Sequence, residues 1–385
     1  MHQRQPIKRK PRRSGKVVRP VLTGRSIHWP VGTGPTREFI MSDLRVMVVG
    51  VGALGRHHAR IVSGLPGVEL VAVAEPREEI GRPIAEQLNT RWVANGRDMI
   101  GEIDAASIVV PTTLHGDIAG EFLENGIPVL VEKPLADSVA AGQRLVDLAE
   151  ANNAVLQVGH IERFNPAMVA ARKACGSPKY IRAERVSPFP FRSTDIGVVH
   201  DLLIHDIDLV LDLVRSPVKN VQAFGINVVS NHEDIVNARL FFENGAIADL
   251  TASRVNPDAK RGMQVWSPLG CVDVDLHTRE VTSYSPSEAL RYGRSPLELA
   301  REPGADIEKL KADIFGRFIE VDKASVAEGD ALTAELEEFA DCVRSGKRPA
   351  CSGVEALEAL KVAEMVLQSV DAHDWGQQGN MAAAA

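Results

Sequence analysis

The chain has 385 residues, 44% hydrophobic and 25% charged, with a formal net charge of −7. That length suits two globular domains, and the composition excludes a mostly disordered chain. The 31 glycines and 22 prolines follow no three-residue period, so a collagen-like repeat is excluded too.

No apolar run nears the roughly 18 residues that a membrane helix needs, and no membrane partner is expected. Cys175, Cys271, Cys342 and Cys351 lie far apart and form no CxxC pair. A disulfide scaffold and a thiolate metal site are therefore not expected, and a cytoplasmic setting fits. Charge is uneven. Residues 1–40 hold ten basic residues and one acid, Glu38, for +9; the remainder holds 34 basic against 50 acidic, for −16. An acidic body argues against a nucleic-acid surface. The basic head reads as an anion-touching arm, a targeting signal or a start placed too far upstream. Arg12-Arg13 hints at a twin-arginine signal, but no apolar stretch follows. Met41 opens a natural approach to a first strand, so residues 1–42 are expected to be a disordered basic extension or a mis-called start.

In chain order, Leu44–Val49 is a β-rich run ending at Gly50. A helix-like stretch follows from Arg56 to Ser63. Val68–Ala74 is a second buried strand, Ile80–Leu88 is helical and Ala105–Val110 is a third strand. Leu114–Asn125 is helical, Val129–Val131 a strand, Val139–Asn152 helical and Val155–Val158 a strand. Strands apolar on both faces, alternating with helices, predict a doubly wound parallel sheet over 43–165. The texture then changes. Lys179–Ser187, Val218–Val229, Asp234–Phe242, Ala246–Arg254, Gln264–Ser267 and Cys271–Asp275 read as strands, and Glu243-Asn244-Gly245 is a hairpin signal. One helix, Asp201–Val214, interrupts early. Residues 285–330 read as a charged surface excursion, and Ala334–Ser345 and Val354–Ser369 as two closing helices. The second domain, 166–370, is thus α+β with a largely antiparallel sheet. The tail, 371–385, shows no pattern.

Gly50-Val51-Gly52-Ala53-Leu54-Gly55 is G-x-G-x-x-G between a strand and a helix, and Glu75 lies 20 residues past Gly55. Gly50 permits a tight turn, Gly52 lets backbone approach a pyrophosphate, and Gly55 lets helix pack on strand. The helix N-terminus supplies N–H groups and partial positive charge for phosphates. Glu75 would accept from ribose hydroxyls and repel a 2′-phosphate, which favours NAD. Arg77 and Arg82 keep NADP open.

Glu132-Lys133-Pro134 ends a strand, where a lysine can donate to a substrate oxygen. Asp201, His205 and Asp208, at i, i+4 and i+7, share a helix face. A histidine one turn from a carboxylate suits general-base work; a divalent metal on the two carboxylates and the histidine is the rival reading, and a capped surface helix the third. His160-Ile161-Glu162-Arg163-Phe164-Asn165-Pro166 sits at the domain junction, as a ligand wall or a linker.

Together, Gly50–Gly55, Pro111-Thr112-Thr113-Leu114-His115, Glu132-Lys133-Pro134 and the Gly197, Asp201, His205, Asp208 arrangement resemble the Gfo/Idh/MocA oxidoreductases, from about Leu44 to Ser369. Ser345-Gly346-Lys347-Arg348-Pro349 agrees. Val110-Pro111-Thr112 departs from the commoner Ala-Thr-Pro-like turn. The resemblance implies a Rossmann domain and an open-faced sheet domain that mediates homodimers or homotetramers. It implies bound NAD or NADP and oxidation of a sugar-like substrate. Lys133 and His205 would be the acid–base residues, with Asp201 orienting them. Ala53, Leu54, Pro111, Thr112, His115 and Glu132 would join the glycines and Glu75 at the cofactor. The Ser187–Gly197 segment and His160–Pro166 look most like the subgroup acting on nucleotide-linked amino sugars at C3, with UDP-N-acetylglucosamine the nearest candidate. Arg163, Asn165 and Arg192 would then meet diphosphate or sugar. A dehydrogenase of a free polyol or sugar, of inositol or glucose type, is the alternative. A nicotinamide-binding regulator without turnover is a third.

Overall fold

A computed structural model of the chain describes residues 43–191, 196–373 and Trp375. The expected basic extension, Arg192 and the end of the tail lie outside the described residues.

Strand β1 (Leu44–Val49) sends Val46 and Val48 into one core and Met47 and Val49 into another. A strand that is apolar on both faces needs helices on both sides. The chain supplies them in alternation: α1 (Gly55–Val62), β2 (Val68–Ala74), α2 (Glu78–Leu88), β3 (Arg91–Val93), β4 (Ala105–Ile108), α3 (His115–Glu124), β5 (Val129–Glu132), α4 (Val139–Ala151) and β6 (Leu156–Gly159). The six strands are parallel in the order β3-β2-β1-β4-β5-β6. The winding reverses between β1 and β4, so the crevice for a ligand opens beyond their carboxyl ends.

A 3₁₀ turn (Ile161–Phe164) and α5 (Pro166–Ala171) lead to β7 (Tyr180–Val186). A π-type turn (Val199–Leu203) then runs into α6 (Ile204–Val214). There follow β8 (Val218–Ile226), β9 (Ile235–Phe242), β10 (Ile247–Ser253), β11 (Lys260–Ser267), β12 (Gly270–Asp275), β13 (Glu280–Pro286), α7 (Glu288–Tyr292), α8 (Pro296–Ala300), α9 (Ile307–Asp313) and β14 (Ile319–Lys323). The eight strands lie in the order β14-β13-β12-β11-β7-β10-β9-β8. β7 and β10 pair in parallel and the other neighbours antiparallel. Gly245, at φ +83°, closes the β9–β10 hairpin at the expected place. Val236, Ala238, Leu240 and Phe242 alternate inward, which fixes the register of β9 against the core shared with α6.

The final helices, α10 (Ala331–Ser345) and α11 (Gly353–Asp371), return to the first sheet. Leu336 and Phe339 of α10 enter the core of β1 and α1. Leu357 of α11 packs in the other core of the parallel sheet, while Val362 and Val366 belong to the core of the second. Of the two terminal helices, expected with the second domain, α10 packs into a core of the parallel sheet and α11 is shared by both sheets.

Three strands escape the sequence reading. β3 has three residues, and β13 and β14 mix exposed with half-buried positions, so neither shows a clean alternation. The 285–330 excursion holds the end of β13, three short helices and the edge strand β14, with Tyr292 and Leu297 exposed.

Candidate active site

Gly50 sits at φ +83°, and a Cβ there would lie 2.3 Å from the Val109 carbonyl oxygen. A Cβ on Gly55 would lie 1.8 Å from the Gly50 oxygen. These two glycines let the turn, β4 and α1 approach one another. Gly52 differs: a Cβ there meets nothing within 4 Å, because the space above it is open. α1 starts with no side-chain cap and no acid in its first turn, so its first N–H groups and positive end are left for an anion. The cleft they face measures about 960 Å³ and is lined by Gly50, Gly52, Glu75, Val110 and Pro111 among others. Ala53 and Leu54 continue its glycine turn, and Thr112 opens the short 3₁₀ turn after Pro111. Glu75 is 4% exposed and accepts from Arg77 Nε at 2.7 Å. A carboxylate at the end of β2 meets the requirement for a ribose acceptor. The donor set and the open space over Gly52 fit a dinucleotide.

Two residues expected at the cofactor do different work. His115 is fully buried, with Nδ1 2.8 Å from the Pro134 oxygen and Nε2 3.0 Å from the Val110 oxygen. Burial holds its pKa below the usual histidine value, so the neutral ring donates to one of these oxygens while it packs between the cleft wall and the turn after β5. Glu132 accepts from the Lys133 N–H at 3.2 Å, and its carboxylate faces His58 of α1.

The expected acid–base residues do meet. Lys133 Nζ donates to the Asp201 carbonyl oxygen at 2.8 Å and lies 3.7 Å from Asp201 Oδ1. Burial lowers the lysine pKa from 10.5, opposed by Asp201 and Glu132. His205, one turn on, has a buried Nδ1 without a partner. Burial and then the charges of Lys133 and Arg185 push its pKa well below 6.5, so the imidazole is neutral near neutral pH. Asp201 lies in the π-type turn, not in a continuous helix. The turn is seated by Glu233, whose carboxylate accepts from Val199 N–H at 3.1 Å and whose carbonyl accepts from Val198 N–H at 2.9 Å. A Cβ on Gly197 would come within 1.9 Å of that carboxylate, which explains the glycine four residues before Asp201.

Asp208 does not share the site of Asp201. Both of its oxygens accept from Arg163, at 2.7 Å each. Arg163 Nη1 donates to the Ala350 oxygen, and the side chain is 3% exposed. Asn165 caps α5 through Ala167 N–H and donates to Glu162 and to the Leu276 oxygen. The expected substrate roles of Arg163 and Asn165 are therefore corrected: their polar atoms are spent inside the protein. The junction segment is a bracket, not a ligand wall. Arg192 lies outside the described residues.

The metal reading of Asp201, His205 and Asp208 loses a ligand, because both Asp208 oxygens are taken by Arg163. Ligand atoms of His160, Asp208 and Cys351 lie within 4.8 Å of one another. Asp208 is already occupied by a guanidinium, and burial pushes the Cys351 thiol well above 9, so the set offers no thiolate and no free carboxylate.

Two buried residues were visible in principle. Arg185 falls on the inward parity of β7 with Ile181 and Ala183, and forks onto Asp206 at 2.8 and 3.1 Å. His58 lies on the apolar stripe of α1 with Ile61 and Val62. A charged or polar residue on an apolar face is the signal in both cases.

Gly52→Ala is expected to keep its melting temperature and to weaken NADH binding about tenfold in a fluorescence titration, whereas Gly55→Ala lowers the melting temperature. Arg163→Ala strands a buried carboxylate and should cost about 3–5 kcal/mol of stability in a denaturant titration. An unchanged stability with only a raised sugar KM would return Arg163 to a substrate role.

Residues 44–160 match the oxidoreductase family with an NAD-binding Rossmann fold, and residues 168–270 match the GFO/IDH/MocA C-terminal domain. The chain is 31% identical over 333 residues to the UDP-N-acetylglucosamine 3-dehydrogenase of Acidithiobacillus ferrooxidans, covering 86% of this chain and 99% of that protein. A solved structure of that relative aligns over the same shares with a TM-score of 0.76. The scyllo-inositol 2-dehydrogenase (NAD(+)) of Bacillus subtilis is 28% identical, over 83% of this chain and 92% of that protein. A levoglucosan dehydrogenase solved with NADH shares the fold at 18% identity and a TM-score of 0.71, over 86% of this chain and 97% of that one. With both halves matched, and a relative of this similarity aligned along nearly its whole length, the chain belongs to the Gfo/Idh/MocA family, as an NAD-binding dehydrogenase of the sugar and polyol type.

Proposed function

We propose that the chain oxidises the C3 hydroxyl of a nucleotide-linked amino sugar, with UDP-N-acetylglucosamine as the first candidate. The observation that carries the chemistry is the Lys133–Asp201–His205 cluster at the carboxyl end of β5, beside the dinucleotide cleft. The substrate reading draws on the relative aligned over 86% of this chain.

NAD, held by the Gly50–Gly55 turn and Glu75, would supply the hydride acceptor for the carbinol carbon. The chain's own residues handle the proton. His205 is neutral, and it takes the hydroxyl proton as general base. Lys133, held by the Asp201 carbonyl, donates to the same oxygen as negative charge builds on it. Asp201 keeps Nζ in place and holds its charge. The O–H proton goes to His205, and the carbon that gives up its hydride is left as a ketone. Arg192 supplies a cation for the diphosphate. A second copy of the chain covers the face of the eight-stranded sheet opposite α6. The favoured setting is the cytoplasm.

The free-polyol reading has its own support in the inositol-type relative. The two separate in one assay. Protein and NAD are mixed with UDP-N-acetylglucosamine or with myo-inositol, and reduced nicotinamide is followed with a keto trap present. Turnover of the nucleotide sugar, with an Arg192→Ala KM raised about tenfold, supports the first reading. Turnover of inositol alone, indifferent to Arg192, replaces it with the second.

His205→Ala and Lys133→Met are each expected to lower kcat about 10²–10⁴-fold with NADH affinity retained. The kcat/KM profile should be bell-shaped. Activity rises with pH as His205 loses its proton, below 6.5, and falls as Lys133 loses its own, below 10.5. Loss of the alkaline limb in Lys133→Met checks that assignment.

A further inference from the structure

A buried chain of three side chains reaches the Lys133 turn from behind. His58, in the second turn of α1, is fully buried. Its Nδ1 lies 3.0 Å from Ser107 Oγ on β4. Its Nε2 is buried, makes no aligned hydrogen bond, and lies at ion-pair distance, 3.2 Å, from Glu132 Oε1 at the end of β5. The other Glu132 oxygen accepts from the Lys133 N–H at 3.2 Å. β6 makes room for this carboxylate with Gly159, where a Cβ would stand 3.0 Å from it. A carboxylate this close favours the tautomer with the hydrogen on Nε2, in which Nδ1 accepts from the Ser107 hydroxyl. The order of atoms matches a Ser–His–Glu triad, but Ser107 is fully buried, so no substrate reaches its hydroxyl.

We propose that His58 is a positioning residue for the dehydrogenase reaction. It acts through Glu132 on Lys133, and it ties the helix whose N-terminus faces the dinucleotide cleft to the turn that carries the catalytic lysine. The inference rests on the acid–base assignment of Lys133 above. Two effects follow from the geometry. Glu132 is held in one place, and its negative charge is kept beside Lys133. The charged and titratable groups around Lys133 are Glu132, Asp201, Arg185, His160, His200 and His205; those around Glu132 include Glu335 and His160. Asp201 also favours the ammonium, so removing His58 weakens one of two anionic supports and does not abolish the charge.

The test uses the position of the nitrogen. In His58→Gln the amide nitrogen takes the place of Nε2 and still donates to Glu132. In His58→Asn the amide reaches only as far as Nδ1. His58→Ala offers neither. The variants are assayed with NAD and whichever of UDP-N-acetylglucosamine or myo-inositol the wild type oxidises, and NADH binding is titrated by fluorescence. We expect kcat to fall about tenfold in the Ala and Asn variants and to return to within about threefold of wild type in Gln. Without the imidazole beside it, the Glu132 carboxylate is free to turn away, and Lys133 loses a negative neighbour. The alkaline limb of kcat/KM should therefore move to lower pH in Ala and Asn, by about one unit, and stay in place in Gln.

A Gln variant as impaired as Ala would overturn the proposal, as would an alkaline limb unmoved in Asn. Lys133→Met is the control. If it keeps the alkaline limb, the assignment of Lys133 fails. If it loses the limb while Asn leaves it unmoved, the His58 proposal alone fails. Should Ala and Asn not fold, Ser107→Ala removes one hydroxyl and keeps the imidazole. It is expected to shift the limb in the same direction by about half a unit, and no shift overturns the proposal.

Discussion

Two buried arginine–aspartate forks place α6, and the active site depends on where α6 lies. Arg163, in the turn after the parallel sheet, takes Asp208 with both of its fork nitrogens. Arg185, in the central strand β7 of the other sheet, takes Asp206 in the same way and Glu162 besides. The helix is thus gripped through two residues of its first turns, Asp206 and Asp208, that stand two positions apart. Burying four charges costs several kcal/mol per ion, and the paired Coulomb gain roughly returns it. The gain is in geometry. A bidentate fork tolerates little rotation, so the turn before α6 can deliver Asp201 to Lys133 in one pose.

The same forks set the charge around the reacting groups. Arg185 and Lys133 both bear on His205, and burial acts in the same direction. The imidazole stays neutral because its neighbours are cations, and a neutral imidazole can accept a proton. Lys133 feels the opposite pull: burial lowers its pKa while Asp201 and Glu132 raise it. Two groups in contact with one cluster are driven to different protonation states by their partners. An acid and a base on the same oxygen require that difference.

The cofactor half obeys a simpler constraint. Its glycines are set by backbone crowding at Gly50 and Gly55 and by vacancy at Gly52. α1 carries no cap of its own and no acid near its start. Such a helix end is under-satisfied until an anion meets it. His115 then packs between the cleft wall and the Lys133 turn, with its one N–H for either of two carbonyl oxygens.

The sequence by itself determined what local rules govern. Strand–helix alternation gave the parallel sheet, with β1 and β2 read at the residues where they lie, and turn chemistry gave the β9–β10 hairpin. The glycine spacing gave the cleft, and the spacing of Asp201 and His205 put those two one turn apart, because contacts within a turn depend on nearby residues alone; Lys133 joins them across 68 positions, a contact that only the family resemblance pointed to. What it left open depends on contacts across 40 to 190 positions. Asp208 looks like a partner of His205 by helical spacing, yet its oxygens belong to Arg163, 45 residues earlier. Arg163 and Asn165 look free to meet a substrate until the helix and β-strand loops close over them. His58 reads as an ordinary helix residue until β4 and β5 bring Ser107 and Glu132 to its two nitrogens. A carboxylate or a guanidinium can serve ligand or fold equally well. Only the tertiary structure shows which partner reached it first.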